Sequence, residues 1–146
     1  MKFTWYIIAL LAGAVLPIQA GLNARLGKHI ASPVHAAMFS FVTGALGVAL
    51  YILVTKQTMN WAGIRAAPSY VWIAGLLGAF FVTAMVLTFP RIGPAITFGL
   101  VVAGQMIISV LMGHFNIMVE LRESINLYKV IGVILIISGV VIIRKF

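Results

Sequence analysis

Residues 70–115 read YVWIAGLLGAFFVTAMVLTFPRIGPAITFGLVVAGQMIISVLMGHF, two long apolar runs with a single formal charge, Arg91, between them. A helix crosses the roughly 30 Å hydrocarbon layer of a bilayer with about 20 residues, so 70–89 and 95–115 each have the length of one span. The link between them is Pro90, Arg91, Ile92, Gly93 and Pro94. It is rich in helix breakers and too short for anything but a tight reversal between antiparallel helices.

Working outward, the same test finds three more runs. Residues 3–22 continue without a charge until Arg25, and 34–54 follow Ser32 and Pro33, the N-cap and first-position chemistry of a helix start. Pro68 and Ser69 open 70–89 in the same way, and 127–143 follow Asn126 as a cap and end at Arg144 and Lys145. The expected fold is an all-α integral membrane protein, a single membrane domain over 1–146 with five transmembrane helices at about 3–22, 34–54, 70–89, 95–115 and 127–143. Lys2, the apolar run behind it and the small pair Ala20-Gly21 also resemble a signal peptide, which would leave four spans. The run is longer than an ordinary signal core and carries polar residues of the kind a buried helix keeps, so it is read as a retained helix.

Composition supports this reading, since 63% of the chain is apolar and 8% charged, and a mean hydropathy of +1.17 excludes a water-soluble core. Ten basic residues face two acidic ones, Glu120 and Glu123. The basic residues do not form a stripe, so nucleic acid is not an expected partner; each sits at the edge of an apolar run, where side chains snorkel to headgroups. Trp5, Tyr51, Trp61, Tyr70 and Trp72 lie at the same edges and read as an aromatic belt. With no Cys there is no thiol nucleophile or thiolate metal site. No phosphate loop, metal-ligand cluster or nucleophile–base pair is visible, so no cofactor, metal or enzymatic activity is expected.

Loop charge normally sets orientation, and here it balances. Lys2, Lys56, Arg65, Arg122 and Lys129 fall on one side of a five-span arrangement; Arg25, Lys28, Arg91, Arg144 and Lys145 fall on the other. A chain without bias has no electrostatic reason to prefer one insertion over its inverse, which predicts dual topology and antiparallel pairing across the membrane.

Polar residues inside the spans are the candidate site. In the first helix Gly13, Pro17 and Gly21 share one face and Gln19 and Asn23 another. Pro17 cannot donate to the Gly13 carbonyl, so a kink near mid-membrane is expected there. Gln105 and Ser109 share one row of the fourth run with Thr97 and Gly113, and Ser40 and Thr43 lie in the second run near Gly44 and Gly47. A buried amide needs partners from helices, water or ligand; small residues at these spacings chiefly mean close packing. No Asp or Glu lies within a span, which disfavours exchange of cationic drugs for protons. His35 and His114 sit near helix ends and read as hydrogen-bonding residues, while Arg25 and Lys28, just beyond the polar face of the first helix, read equally as attractors of an anionic or zwitterionic solute and as headgroup anchors.

The run Leu16-Pro17-Ile18-Gln19-Ala20-Gly21-Leu22-Asn23-Ala24-Arg25-Leu26-Gly27, with Ser32-Pro33, Ser40-Phe41, Pro90-Arg91-Ile92-Gly93, Gly104-Gln105 and His114-Phe115, resembles the YdcZ-like family of bacterial inner-membrane proteins. That family belongs to the drug/metabolite transporter superfamily, and the resemblance covers the whole chain. It implies half of a ten-helix transporter, occurring as dual-topology chains, opposite pairs or fused proteins. It also implies that Gln19, Asn23 and Gln105 are positions of the family motif. Where the resemblance leads one to expect an acid before His114-Phe115 this chain has Gly113, and where Gly would follow it has Asn116. The group that proton coupling would need at that position is therefore missing.

The combined expectation is a secondary transporter of a small solute, working by alternating access in the inner (plasma) membrane. The antiparallel homodimer would place Gln19, Asn23, Gln105, Ser109, Ser40 and Thr43 around the substrate and use the kink at Gly13 and Pro17. The rival readings are a passive ion channel and a structural or assembly subunit that transports nothing. Single Lys2→Cys and Lys145→Cys replacements test the charge argument in this Cys-free chain. Each site should label from both faces when intact cells and inverted vesicles are compared; labelling from one face only would sink dual topology.

Overall fold

In the computed structural model, which describes residues 2–119 and 122–145, the chain is helical with no strand among the described residues. Glu120 and the Lys2 side chain lie outside the described residues. The helices are α1 (Lys2–His29), α2 (Pro33–Val54), α3 (Trp61–Ala66), α4 (Ala74–Ile92), α5 (Pro94–Phe115) and α6 (Leu127–Lys145), with a 3-10 segment over Ser69–Ile73 before α4. Five helical segments are long and apolar enough to cross a membrane, the fourth helix counting together with the 3-10 turn ahead of it.

The expected spans are all present, and their ends differ in instructive ways. α1 continues past Leu22 through Arg25 and Lys28 to His29. Its 28 residues rise about 42 Å, longer than the hydrocarbon layer, so its last turns can carry charge among headgroups. It stays helical on both sides of Pro17. Ser32 caps α2 as expected, accepting a hydrogen bond from the His35 amide at 3.3 Å, and Asn126 caps α6 by accepting from the Lys129 amide at 2.9 Å. Ser69 is not a cap: it lies in the 3-10 segment, and α4 proper starts at Ala74. The expected five-residue link at 90–94 shrinks to Gly93, because α4 carries Pro90 inside and α5 begins at Pro94. Gly93 holds φ at +82°, a conformation that side-chain-bearing residues rarely adopt.

Three helices stop in the same manner without a glycine. Ala31, Lys56 and Asn116 have φ between 51° and 54°. The next amide then reaches back to a carbonyl five residues earlier: Ser32 to Gly27 at 2.9 Å, Gln57 to Ile52 at 3.1 Å, and Ile117 to Met112 at 2.9 Å. This left-handed closing turn satisfies carbonyls that the helix end leaves free.

Residues 1–90 and 91–146 form two compact units. In the first, α1 packs on α2 through small residues. Ala20, Asn23 and Gly27 are buried on α1, Ala36 and Ala37 on α2, and a Cβ added at Gly27 would lie 3.2 Å from the Pro33 Cα. The packing face is thus the one carrying Asn23. Gly13, expected on the packing face, meets no neighbour within 4 Å. α4 meets its unit through rings laid over glycines, Phe89 over Gly21 and Phe41 over Gly78. Val86, 1% exposed, is its buried centre.

In the second unit α5 and α6 come together at Gly99. A Cβ built there would stand 2.6 Å from Val140 Cγ2, too close to accommodate unchanged. Thr97, Ala103 and Val140 are buried around this approach. Gly99→Ala should therefore destabilise the α5–α6 pair by roughly 1–3 kcal/mol through overpacking. Thermal unfolding in detergent should register the loss, and Val140→Ala should restore much of it in the double variant. A Gly99→Ala protein as stable as the parent would show that the helices are not held at this point.

Candidate functional site

The polar residues of α1 and α2 converge on one cleft of about 470 Å³, lined by Gln19, Asn23, Ser40 and Thr43 among Val15, Ile18, Leu22, Leu26, Phe39 and Gly44. No charged side chain lines it. Gln19 and Asn23 reach it because they lie four residues apart on α1 and so project from one face. Ser40 and Thr43 do the same at a spacing of three on α2. Gln19 Nε2 donates to Ser40 Oγ at 3.3 Å, a long hydrogen bond that ties the two helices. Thr43 Oγ1 is occupied within its own helix, donating to the Phe39 carbonyl at 3.0 Å.

A second cleft of about 370 Å³ lies across the same wall, lined by Gln19, Ser40 and Gly44 together with Phe41, Ala45, Val48 and Val82 of α4. The three residues common to both clefts form the partition between them, and its one polar tie is the Gln19–Ser40 bond.

Asn23 differs from its neighbours. It is 8% exposed, and its Nδ2 is sealed from solvent without a hydrogen-bond partner. An unpaired buried amide costs about 1–3 kcal/mol.

The remaining candidates, Gln105 and Ser109, belong to the second unit. Ser109 lines an α5–α6 cleft of about 250 Å³ with Met106, Val110, Gly113, Glu123, Lys129, Gly132, Val133 and Ile136. Gln105 is exposed on α5 and lines none of these three clefts. Nothing in the sequence marks Glu123 and Lys129 as site residues. They pair at 2.9 Å, and the loop before α6 folds back so that the Glu123 amide donates to the Gly113 carbonyl at 2.9 Å. The Ile125 amide donates to His114 Nδ1 at 3.2 Å, so that nitrogen is an acceptor here. A Cβ at Gly113 would lie 3.3 Å from the Glu123 Cβ. An acid thus stands beside the position where the helix lacks one, and the absence of a side chain at Gly113 makes room for it. Among the described residues no three metal-ligating side chains gather.

The sequence that carries these features matches a known family over nearly its whole length. The family model described as "Putative inner membrane exporter, YdcZ" matches residues 4–142. The chain belongs to the YdcZ family. As a YdcZ-family protein with five membrane-length helices, it is a multi-pass inner-membrane protein, and the description of its family points to transport. No curated protein and no solved structure matches the chain. The YdcZ match runs through both units and so includes the α1–α2 cleft as well as Gln105 and Ser109.

The Gln19–Ser40 tie makes a direct prediction. A double-mutant cycle with Gln19→Leu and Ser40→Ala, read by unfolding in detergent, should give a coupling of about 0.6 kcal/mol, the usual size for a hydrogen bond between membrane helices. Strictly additive single variants would show that the contact does not join α1 to α2.

Proposed function

We propose that the chain is a secondary carrier of a small solute, working by alternating access as an antiparallel homodimer of two five-helix chains. The observation that carries this reading is the α1–α2 cleft, in which Gln19, Asn23, Ser40 and Thr43 meet without any charged residue. Amides at membrane depth are costly to leave unpaired, and a solute that pairs with them recovers that cost on binding. The YdcZ match supports export as the direction.

Two features support pairing of chains. Gly44, Gly47, Gly75, Gly104, Gly132 and Gly139 meet no neighbour within their own units, although small residues are what membrane helices use to approach one another. Gln105 is an exposed amide on a helix of otherwise apolar character, and in a bilayer such a group requires a partner. A second copy in the opposite orientation offers both a surface for the glycines and a partner for the amide. The balanced loop charges allow both orientations. Gln105 and Ser109 would then border the binding site, and the wall shared by the two α1–α2 clefts would be the part that yields as access alternates.

Proteoliposomes exposed to the small-molecule fraction of a cell extract, with uptake read by mass spectrometry, test the carrier. A few compounds should enter saturably and faster when the same compounds are loaded in trans. Gln105→Ala should cut that exchange at least about tenfold, as expected for loss of a hydrogen bond worth about 1.4 kcal/mol, with dimer yield near that of the parent. Passage without saturation or trans-stimulation would make the protein a channel, and a matching loss of folded dimer in Gln105→Ala would make the amide structural.

A further inference from the structure

We infer that the α1–α2 cleft takes an uncharged solute whose polar head both donates and accepts hydrogen bonds, a carboxamide or hydroxyl, carried on an apolar body. This rests on the carrier reading for its physiological meaning but not for its chemistry, which follows from what lines the cleft.

Charge is excluded first. The lining of Gln19, Asn23, Ser40, Thr43 and apolar residues contains no ion of either sign, so a bound ammonium or carboxylate would leave water without a counter-charge. A purely apolar solute fits no better, since it would leave the Asn23 donor unmet. That donor is the decisive group: Asn23 is 92% buried by its 8% exposure, lines the cleft, and finds no acceptor for Nδ2 among the described residues. A half-turn of the amide exchanges its donor and acceptor ends without moving the rest of the side chain, so a ligand there can meet either end. A carboxamide head meets both.

The neighbouring pair offers the same dual character. The bond from Gln19 Nε2 to Ser40 Oγ, at 3.3 Å, leaves the Gln19 Oε1 acceptor and the Ser40 hydroxyl proton for a ligand. Thr43 adds little, because its hydroxyl already donates to the Phe39 carbonyl. Around these groups Val15, Ile18, Leu22, Leu26 and Phe39 supply an apolar wall, and about 470 Å³ is ample for a ring or short chain attached to the head.

The test uses four probes with one body and different heads: phenylacetamide, phenylacetate, 2-phenylethylammonium and propylbenzene. Each is titrated against the purified full chain in detergent micelles, and the thermal midpoint is read. Phenylacetamide should raise the midpoint in a saturable way and the other three should raise it little or not at all. Asn23→Leu, which replaces the amide by an apolar group with the same branching, should weaken phenylacetamide binding by about tenfold or more. The same variant should raise the midpoint of the ligand-free protein, because an unpaired buried group has been replaced by an apolar one.

A shift from phenylacetate or 2-phenylethylammonium as large as that from phenylacetamide overturns the inference. So does the absence of a shift with all four probes, or a phenylacetamide shift that survives in Asn23→Leu. A lower ligand-free midpoint in Asn23→Leu also overturns it, since the amide would then be paired to another helix in the assembled protein. Because binding is read without transport, the two readings fail separately. A phenylacetamide-specific shift with no trans-stimulated exchange removes the carrier alone, and saturable exchange of a charged solute removes the solute class alone.

Discussion

Hydrocarbon gives an apolar side chain no reason to hide, and the rest of this fold depends on that constraint. Lipid tails are as apolar as leucine, so helices associate in a bilayer through close van der Waals fit rather than by exclusion from water. The buried apolar residues here are accordingly small, Ala20, Ala36, Ala37, Val86, Ala103 and Val140, while Leu10 and Phe80 are 74% and 75% exposed. Gly99 against Val140 and Gly27 against Pro33 are the places where this fit is closest. A soluble domain would be built the other way round, with its largest apolar side chains inside.

The same medium makes every polar group at depth a separate problem of satisfaction. Four threonines solve it locally by donating to a carbonyl four residues back: Thr43 to Phe39, Thr55 to Tyr51, Thr88 to Ala84 and Thr97 to Gly93. A longer amide has both donors and an acceptor to place and cannot be satisfied by one carbonyl of its own turn. Gln19 solves part of it by reaching Ser40. Asn23 does not solve it among the described residues. Of the polar residues in the α1–α2 cleft it is therefore the one whose energetics depend on something arriving from outside.

The five spans were legible because span length is a global property, a count of uncharged residues against a fixed thickness, which no single side chain can upset. Helix ends are decided by one or two dihedral angles, and there the usual marker was missing: Ala31, Lys56 and Asn116 hold the left-handed closing position that glycine normally signals. The packing face of α1 was illegible for a related reason. When lipid and protein interiors are equally apolar, hydropathy does not distinguish the two sides of a helix, and a row of small residues such as Gly13, Pro17 and Gly21 reads as a seam whether or not a helix covers it. The α1–α2 polar residues stood out because amides and hydroxyls are rare in apolar runs, and the cleft gathers Gln19, Asn23, Ser40 and Thr43. The place of Glu123 beside Gly113 is not legible in the sequence, because a loop that folds back makes it, a relation with no periodicity to betray it.

The energetics of one chain taken alone also bear on why it would pair. Close fit is the principal force available between membrane helices, and several glycines that could provide it, Gly44 and Gly47 on α2 and Gly132 and Gly139 on α6, face no neighbour in their own units. A glycine in a helix costs about 1 kcal/mol relative to alanine in water, so open glycines in this number are hard to account for by helix stability. They make sense where another backbone comes close. Gln105 adds a polar requirement to the steric one, since an exposed amide in hydrocarbon is stable only against a partner. Both requirements are met at once by a surface that is itself glycine-rich and carries an amide at the same depth. A second copy of this chain, inverted so that its mid-membrane residues stay at mid-membrane, would be such a surface, which is why the pairing proposed above takes that form.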